Sequence, residues 1–284
     1  MNKTNTKIFD ECETAIIEST DNLHNTHQMK REDYKTYYTH RIAGESNVGL
    51  VREINEDSYG YFTDASETNF IVVVADGVGG HERGDEASKK CVASLLSAWR
   101  NLNHTSRSYR YNKKFLKNSI VDANSEIFYA NTQLHLENPM GTTVTTGIFT
   151  DNLLIIGHVG DSKCFRVNSL GIIEQLTEDH TLVYELFKQK LISEYQMESH
   201  PLAHVISRAI GPDEEVEVDI YKYRREPGSC YVFCSDGVTD HVKTDEIQEI
   251  IIQSNNPKEA CKNLIQAALD GGGNDNITAV CVFD

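Results

Sequence analysis

From Asn47 onward, short apolar blocks alternate with polar turns along the chain, and their internal spacing separates into two periods. Phe70 to Ala75 (FIVVVA), Thr142 to Phe149, Leu153 to Val159, Ile172 to Leu176, Tyr231 to Cys234 and Ile277 to Phe283 are short, apolar and rich in β-branched residues. That composition predicts buried strands. Asp151-Asn152, between two of them, is a tight hairpin signal, so part of the sheet is expected to be antiparallel. Other apolar positions recur in steps of three and four, which places them on one face of a helix. Ala87, Cys91, Leu95 and Ala98 form one such stripe, and Leu116, Ile120, Ala123, Ile127, Ala130 and Leu134 form another. Pro257 opens a third helix through Ala260, Leu264 and Ala267 to Leu269, stopped by Gly271 to Gly273. The sum is an α/β mixture of sheets covered by amphipathic helices. Residues 1 to 40 are polar and poor in aliphatic residues, and no composition break follows, so we expect a polar N-terminal extension and one domain over 41–284.

Charge and composition narrow the field. The 284 residues hold 27 Lys and Arg against 43 Asp and Glu, a net −16, which argues against nucleic acid as a partner. With 39% hydrophobic and 25% charged residues the chain is of ordinary globular type. Its longest apolar runs fall far short of the ~20 residues that cross a bilayer, and the N-terminal residues lack an apolar signal core. A cytoplasmic protein with no membrane contact is expected. The seven cysteines are scattered and include no Cys-x-x-Cys pair, which predicts reduced core thiols and no structural zinc.

The chemistry is carried by where certain aspartates fall. Asp76 follows FIVVVA, Asp161 follows LLIIGHVG, Asp236 follows CYVFCS, and Asp275 immediately precedes the last strand. A single aspartate at a strand end is usually a turn former that caps a neighbouring amide. Four at matching positions would gather at one end of a sheet, where their repulsion calls for cations, and oxygen ligands favour hard divalent ions such as Mg²⁺ or Mn²⁺. Gly77 and Gly237, each following one of these aspartates, would let a backbone carbonyl approach an ion. Arg52, in GLVREINED, could hold an anion through its planar fork, although a lone arginine is more often a surface cation.

The ordered segments GLVREINED (49–57), VVVADGVGGHERGDEAS (72–88), MGTTVT (140–145), GHVGDSKCFRV (157–167), LTEDHTLV (176–183), HPLAHVISRAIG (200–211), FCSDGVTD (233–240) and GGNDNIT (272–278) resemble the motifs of the metal-dependent serine/threonine protein phosphatases of the protein phosphatase 2C type. The form is that of the bacterial stand-alone members. The resemblance implies a central antiparallel β-sandwich with helices on both outer faces. It implies hydrolysis of protein phosphoserine and phosphothreonine by a water held between two Mn²⁺ or Mg²⁺ ions, reversing a cognate serine/threonine kinase. Asp76, the Gly77 carbonyl, Asp236 and Asp275 would hold the ions, and Asp161 with Asp236 a third. Asp57 would orient the water with Glu56 behind it, Arg52 would bind the phosphate, and about 177–210 would form a flap. Where some members carry His after the Asp-Gly pair this chain has Val78, so the acid for the leaving alkoxide is either His81 or a metal-bound water. A monomer acting on phosphoproteins is expected. His158, His180 and His200 read as structural contacts.

Rival chemistries lack their residues. No Cys has Arg six positions on, and neither Asp-x-Asp nor His-Asp occurs. A nucleotidyl cyclase could also use strand-end aspartates, but no phosphate loop accompanies them. A non-catalytic binding module with the same fold would be expected to have lost a metal-binding carboxylate, and all are present.

Overall fold

The computed structural model describes residues 41–63, 69–78, 83–102, 108–135, 138–198 and 200–284. The polar extension 1–40 and His81 lie outside the described residues. In chain order the strands begin with β1 (Ile42–Asn47), β2 (Ser58–Thr63), β3 (Phe70–Ala75) and β4 (Gly77–Val78). Helices α1 (Gly84–Arg100) and α2 (Tyr109–Leu134) precede β5 (Gly141–Thr142), β6 (Val144–Phe149), β7 (Leu153–Val159), β8 (Lys163–Val167) and β9 (Ile173–Gln175). Then follow α3 (Leu182–Lys188), α4 (Glu194–Glu198), β10 (Asp219–Arg224), β11 (Cys230–Cys234), α5 (Asp236–Thr239), α6 (Thr244–Gln253), α7 (Pro257–Asp270) and β12 (Ile277–Phe283).

Two five-stranded antiparallel sheets, ordered β1-β12-β11-β8-β9 and β10-β7-β6-β3-β2, pack face to face. β3 shows why its sequence is apolar without a break. Successive side chains of a strand point to opposite faces. Phe70, Val72 and Val74 therefore enter the core between the sheets, while Ile71, Val73 and Ala75 pack under α1 and α2. On the far side, β11 and β12 send Val232, Cys234, Ala279 and Cys281 against α6 and α7. The result is a four-layer arrangement, helices outside and sheets inside.

The predicted stripes hold with small rotations. Ala87, Cys91 and Leu95 are buried, and Trp99 rather than Ala98 completes the α1 face. Leu116, Ile120, Ala123 and Ile127 are buried on α2 and Ala130 is half-buried, whereas Leu134, at its end, is exposed. α7 buries Ala260, Cys261, Leu264, Ile265 and Ala268, and starts where Asn256 Oδ1 accepts from the Glu259 amide with Pro257 in the first turn. The Asp151-Asn152 hairpin joins β6 to β7. The predicted strand 142–149 is divided at Thr143, because the Thr143 amide donates to Asp76 O (2.8 Å) before β6 joins β3. β1, β2 and β10 escape the hydrophobic pattern because they are edge strands with a half-exposed face. Among the described cysteines, Cys91, Cys164, Cys234, Cys261 and Cys281 are buried and Cys230 is half-buried, all free of disulfides.

The aromatic centre of the sandwich is Phe149. It stacks on Phe70 with centroids 4.4 Å apart and meets the edges of Tyr231 and Phe233 at 5.2 and 6.2 Å. Phe149→Ala should cost about 3–5 kcal/mol of folding free energy, measured by urea unfolding; a loss below about 1 kcal/mol would show that the two sheets do not depend on this contact.

Candidate metal centre

Asp76 is fixed through its backbone, whereas Asp57 and Asp275 are also held at their carboxylates. Asp76, just past β3, donates its amide to Thr143 Oγ1 (3.0 Å), and its carbonyl accepts from Thr143 N and Thr142 Oγ1 (both 2.8 Å). Gly77 follows, its amide on Glu56 O at 3.1 Å. A Cβ at Gly77 would sit 2.4 Å from Gly84 O, so only glycine fits beneath the start of α1. Asp57, leading into β2, accepts a 2.7 Å hydrogen bond from Ser235 Oγ on Oδ2. Ser235 is itself held between strands, its amide on Thr278 O (3.1 Å) and its hydroxyl accepting from Thr278 N (3.0 Å). That bond places Asp236 at the end of β11, and Asp275 enters β12 with Oδ1 accepting from Asn276 N (2.8 Å).

The electrostatics record how closely these groups lie. Burial, and then the neighbouring charges of Asp236 and Asp275, push the Asp57 carboxyl up to about 7 despite its bonds from Ser235 and Thr278. Burial lifts Asp76 well above the carboxylate range, with Asp236, Asp57 and Asp161 adding to it. Asp161 is pushed up to about 7 by burial and then by Asp236. Asp57 Oδ1 and Asp236 Oδ1 are buried with no hydrogen-bond partner among the described residues. Buried unpaired carboxylates are costly, and an all-oxygen set with orphan lone pairs suits hard divalent ions. The residues present therefore fit such ions.

The rim is built from the loop 48–56. Asn276 locks it, donating from Nδ2 to Val48 O and Ile54 O (2.9 Å each) while Oδ1 accepts from Glu56 N (2.8 Å). Arg52 Nη2 reaches Asp275 Oδ2 at 2.8 Å and keeps 46% of its side chain exposed. The Glu56 carboxylate faces the amide of Gly84 at the start of α1, and burial raises its pKa against that hydrogen bond. Sequence reasoning assigned no role to Asn276 or Ser235; both directly flank a predicted aspartate, and that adjacency is the signal that could have found them.

A second polar system ties the segment 177–210 to the Asp161 turn. The His180 amide donates to Gly160 O (2.7 Å), and the Gly160 amide donates to His180 Nδ1 (3.1 Å). The neutral ring then donates from Nε2 to Asp219 Oδ2 (3.2 Å), while Arg208 engages Oδ1 of the same carboxylate at 3.3 Å. Burial lowers the pKa of His180. His158 packs beside it, between Thr145 Oγ1 (2.9 Å) and Glu178 O (3.0 Å), and burial, followed by the competing titration of the adjacent His180, takes its pKa down to about 3. Thr181 and Ile206 form a bridge that closes the segment, and Leu191 and Tyr195 stand exposed on it. His204, from the same segment, joins Asp236 and Asp240, with one ligand atom from each within 4.8 Å of the others. Asp240 was quoted within a motif but given no role.

Comparison with known proteins shows the family to which this fold belongs. A family model described as "Protein phosphatase 2C" matches residues 51–270. The serine/threonine phosphatase stp of Listeria monocytogenes is 35% identical over 235 residues, 82% of this chain and 92% of that protein. The crystal structure of the serine/threonine phosphatase Stp1 from Staphylococcus aureus superposes with a TM-score of 0.79 at 28% identity, covering 86% of this chain and 95% of that one. The catalytic domain of the serine threonine protein phosphatase PstP, solved in complex with two manganese ions, gives 0.72 at 32% identity over 86% of this chain and 97% of its own. With a family model over most of its length, relatives above 30% identity and a two-sheet sandwich shared with solved phosphatases, the chain belongs to the protein phosphatase 2C family.

Proposed function

We propose that this protein hydrolyses phosphoserine and phosphothreonine on proteins, using two divalent ions, Mn²⁺ or Mg²⁺. The observation that carries the reading is the convergence of Asp57, Asp76, Asp161 and Asp236 on one buried site, where burial and mutual repulsion hold Asp57, Asp76 and Asp161 above the usual carboxylate range. Asp76, the Gly77 carbonyl, Asp236 and Asp275 are the proposed holders of the two ions, and Asp161 with Asp236 the holder of a third. Bound there, divalent ions supply Lewis acidity, which lowers the pKa of water and neutralises phosphoryl charge. Asp57, its Oδ2 fixed by Ser235, presents Oδ1 to orient the attacking water in line with the leaving oxygen. Arg52 swings from Asp275 to bind the remaining phosphate oxygens. As the new P–O bond forms and the bond to the serine or threonine oxygen breaks, that alkoxide takes a proton, for which His81 is the proposed donor. Glu56, on the start of α1, supports the loop that carries Asp57.

The domain assigned to this work is 41–284, with 1–40 as an N-terminal extension and 177–210 as the flap beside the cleft. No described helix is long and apolar enough to cross a membrane. A net charge of −16 favours a soluble monomer and disfavours nucleic acid. We infer a cytoplasmic signalling role opposite a serine/threonine kinase.

The test of the function is hydrolysis of p-nitrophenyl phosphate with Mn²⁺: turnover is expected to vanish on chelation and return with metal, and turnover indifferent to chelator would overturn the metal chemistry. Asp76→Ala and Asp236→Ala should each lower turnover by more than about a hundredfold with unchanged circular dichroism. Arg52→Ala should raise KM for a phosphopeptide roughly tenfold, with a smaller effect on kcat; an unchanged KM contradicts its role. Asp161→Ala should slow turnover while calorimetry still counts two Mn²⁺ ions bound.

The metal-free protein should also respond to pH. Carboxyls whose folded pKa is raised bind more protons folded than unfolded, so their contribution to stability is present below about pH 4 and is lost as pH rises toward 7. In chelator, Asp161→Asn should therefore be more stable than the parent at pH 8, on the order of 1–3 kcal/mol, with the gap closing near pH 4. A variant less stable than the parent at pH 8 would show that the cluster is not strained.

A further inference from the structure

The loop 49–54 carries a feature that the hydrolytic reading does not use. Leu50, Val51 and Ile54 flank the phosphate-binding candidate Arg52 and are 68%, 66% and 63% exposed. Apolar side chains of this size in a flexible loop would collapse onto the surface or be shielded. Here the backbone forbids it. Leu50 N donates to Gly273 O (2.7 Å), and Asn276 grips the loop on both sides, at Val48 O and Ile54 O. Gly49 sits at φ +81, where a Cβ would lie 2.2 Å from Asp275 O, so the loop is pressed onto the strand entry with no side chain between. The exposed groups are thus held rigidly outward, and a rigid apolar surface loses little entropy when it is covered.

The surface is continuous with the reaction site. Arg52 lies within it and touches Asp275. At the Asp236 side, His204 brings in a second exposed apolar pair, Leu202 and Val205. Both groups of side chains thus border the carboxylates of the proposed metal site, beside which Arg52 would bind the phosphate, so the occupant that fits is the polypeptide carrying that phosphate.

We propose that Leu50, Val51 and Ile54 form a preorganised docking surface for aliphatic side chains adjoining the phosphorylated residue of a protein substrate, and that this chain is selective for phosphosites in aliphatic surroundings. The proposal rests on the phosphatase reading above and adds the chemical class of its substrate. Covering one such side chain discriminates against a polar one by about tenfold in kcat/KM.

The test uses the full chain with Mn²⁺ and three phosphothreonine peptides that differ only in the two residues on each side of the phosphothreonine: Leu and Val, Ser and Gly, or Lys. Each is compared with p-nitrophenyl phosphate, which has no flanking residues. The expected result is a kcat/KM about tenfold higher for the aliphatic peptide than for the Ser/Gly peptide. The double variant Val51→Ser, Ile54→Ser should lose that preference while keeping p-nitrophenyl phosphate turnover, which also certifies its fold. Equal rates on all three peptides, a preference for the Lys peptide over the aliphatic one, or a preference that survives the double substitution would each overturn the proposal while leaving the phosphatase reading intact. Absence of p-nitrophenyl phosphate turnover in the parent protein would instead bring down the phosphatase reading, and this proposal with it.

Discussion

Several carboxylates withdrawn from water at the mouth of one sandwich repel one another, and the rest of the molecule is organised to hold them there. Desolvation is the larger cost and mutual repulsion adds to it, which is why Asp57, Asp76 and Asp161 all resist ionising. A loop would relieve such strain by turning its side chains to solvent. Strand ends buried between a second sheet and a layer of helices cannot, because moving any one would break the ladder behind it.

Much of the holding is done by neutral hydrogen bonds. Thr142 and Thr143 grip Asp76, Ser235 couples Asp57 to β11 and β12, and Asn276 spans the rim. This division leaves the carboxylates available. A lysine or arginine paired with each would neutralise the site and abolish its affinity for cations. Lys163 illustrates the arrangement: its ammonium meets the backbone carbonyl of Asp161 at 3.3 Å and pairs with the carboxylate of Asp179 at 2.7 Å. Arg52, at the rim, is half exposed on Asp275, where an incoming phosphate can claim it.

A comparable economy governs the segment 177–210. Its anchor residues are buried polar groups with defined partners, His180 between Gly160 and Asp219, Thr181 bridged to Ile206, while its middle stands in solvent. Fixed ends with an exposed middle let a segment border a cleft without disturbing the turn that carries Asp161. The charge on this part of the chain is handled locally, His158 being kept neutral by burial beneath it.

The sequence by itself determined the buried strands, the helical faces and the aspartates at the strand ends, because each of these follows from a period or an adjacency within a few residues. FIVVVA followed by Asp76 is legible since a strand buried on both faces must be apolar throughout. Edge strands such as β10 (DIYKYR) were not legible, because half of each is solvated and the polar residues dilute the pattern. Which carboxylates meet, that Glu56 turns to α1, that Asn276 locks the rim, and that His204 reaches Asp240 were decided by tertiary structure alone. Those contacts join residues up to 228 positions apart, and their distances are set by how two sheets stack, a quantity that no local stretch of sequence encodes.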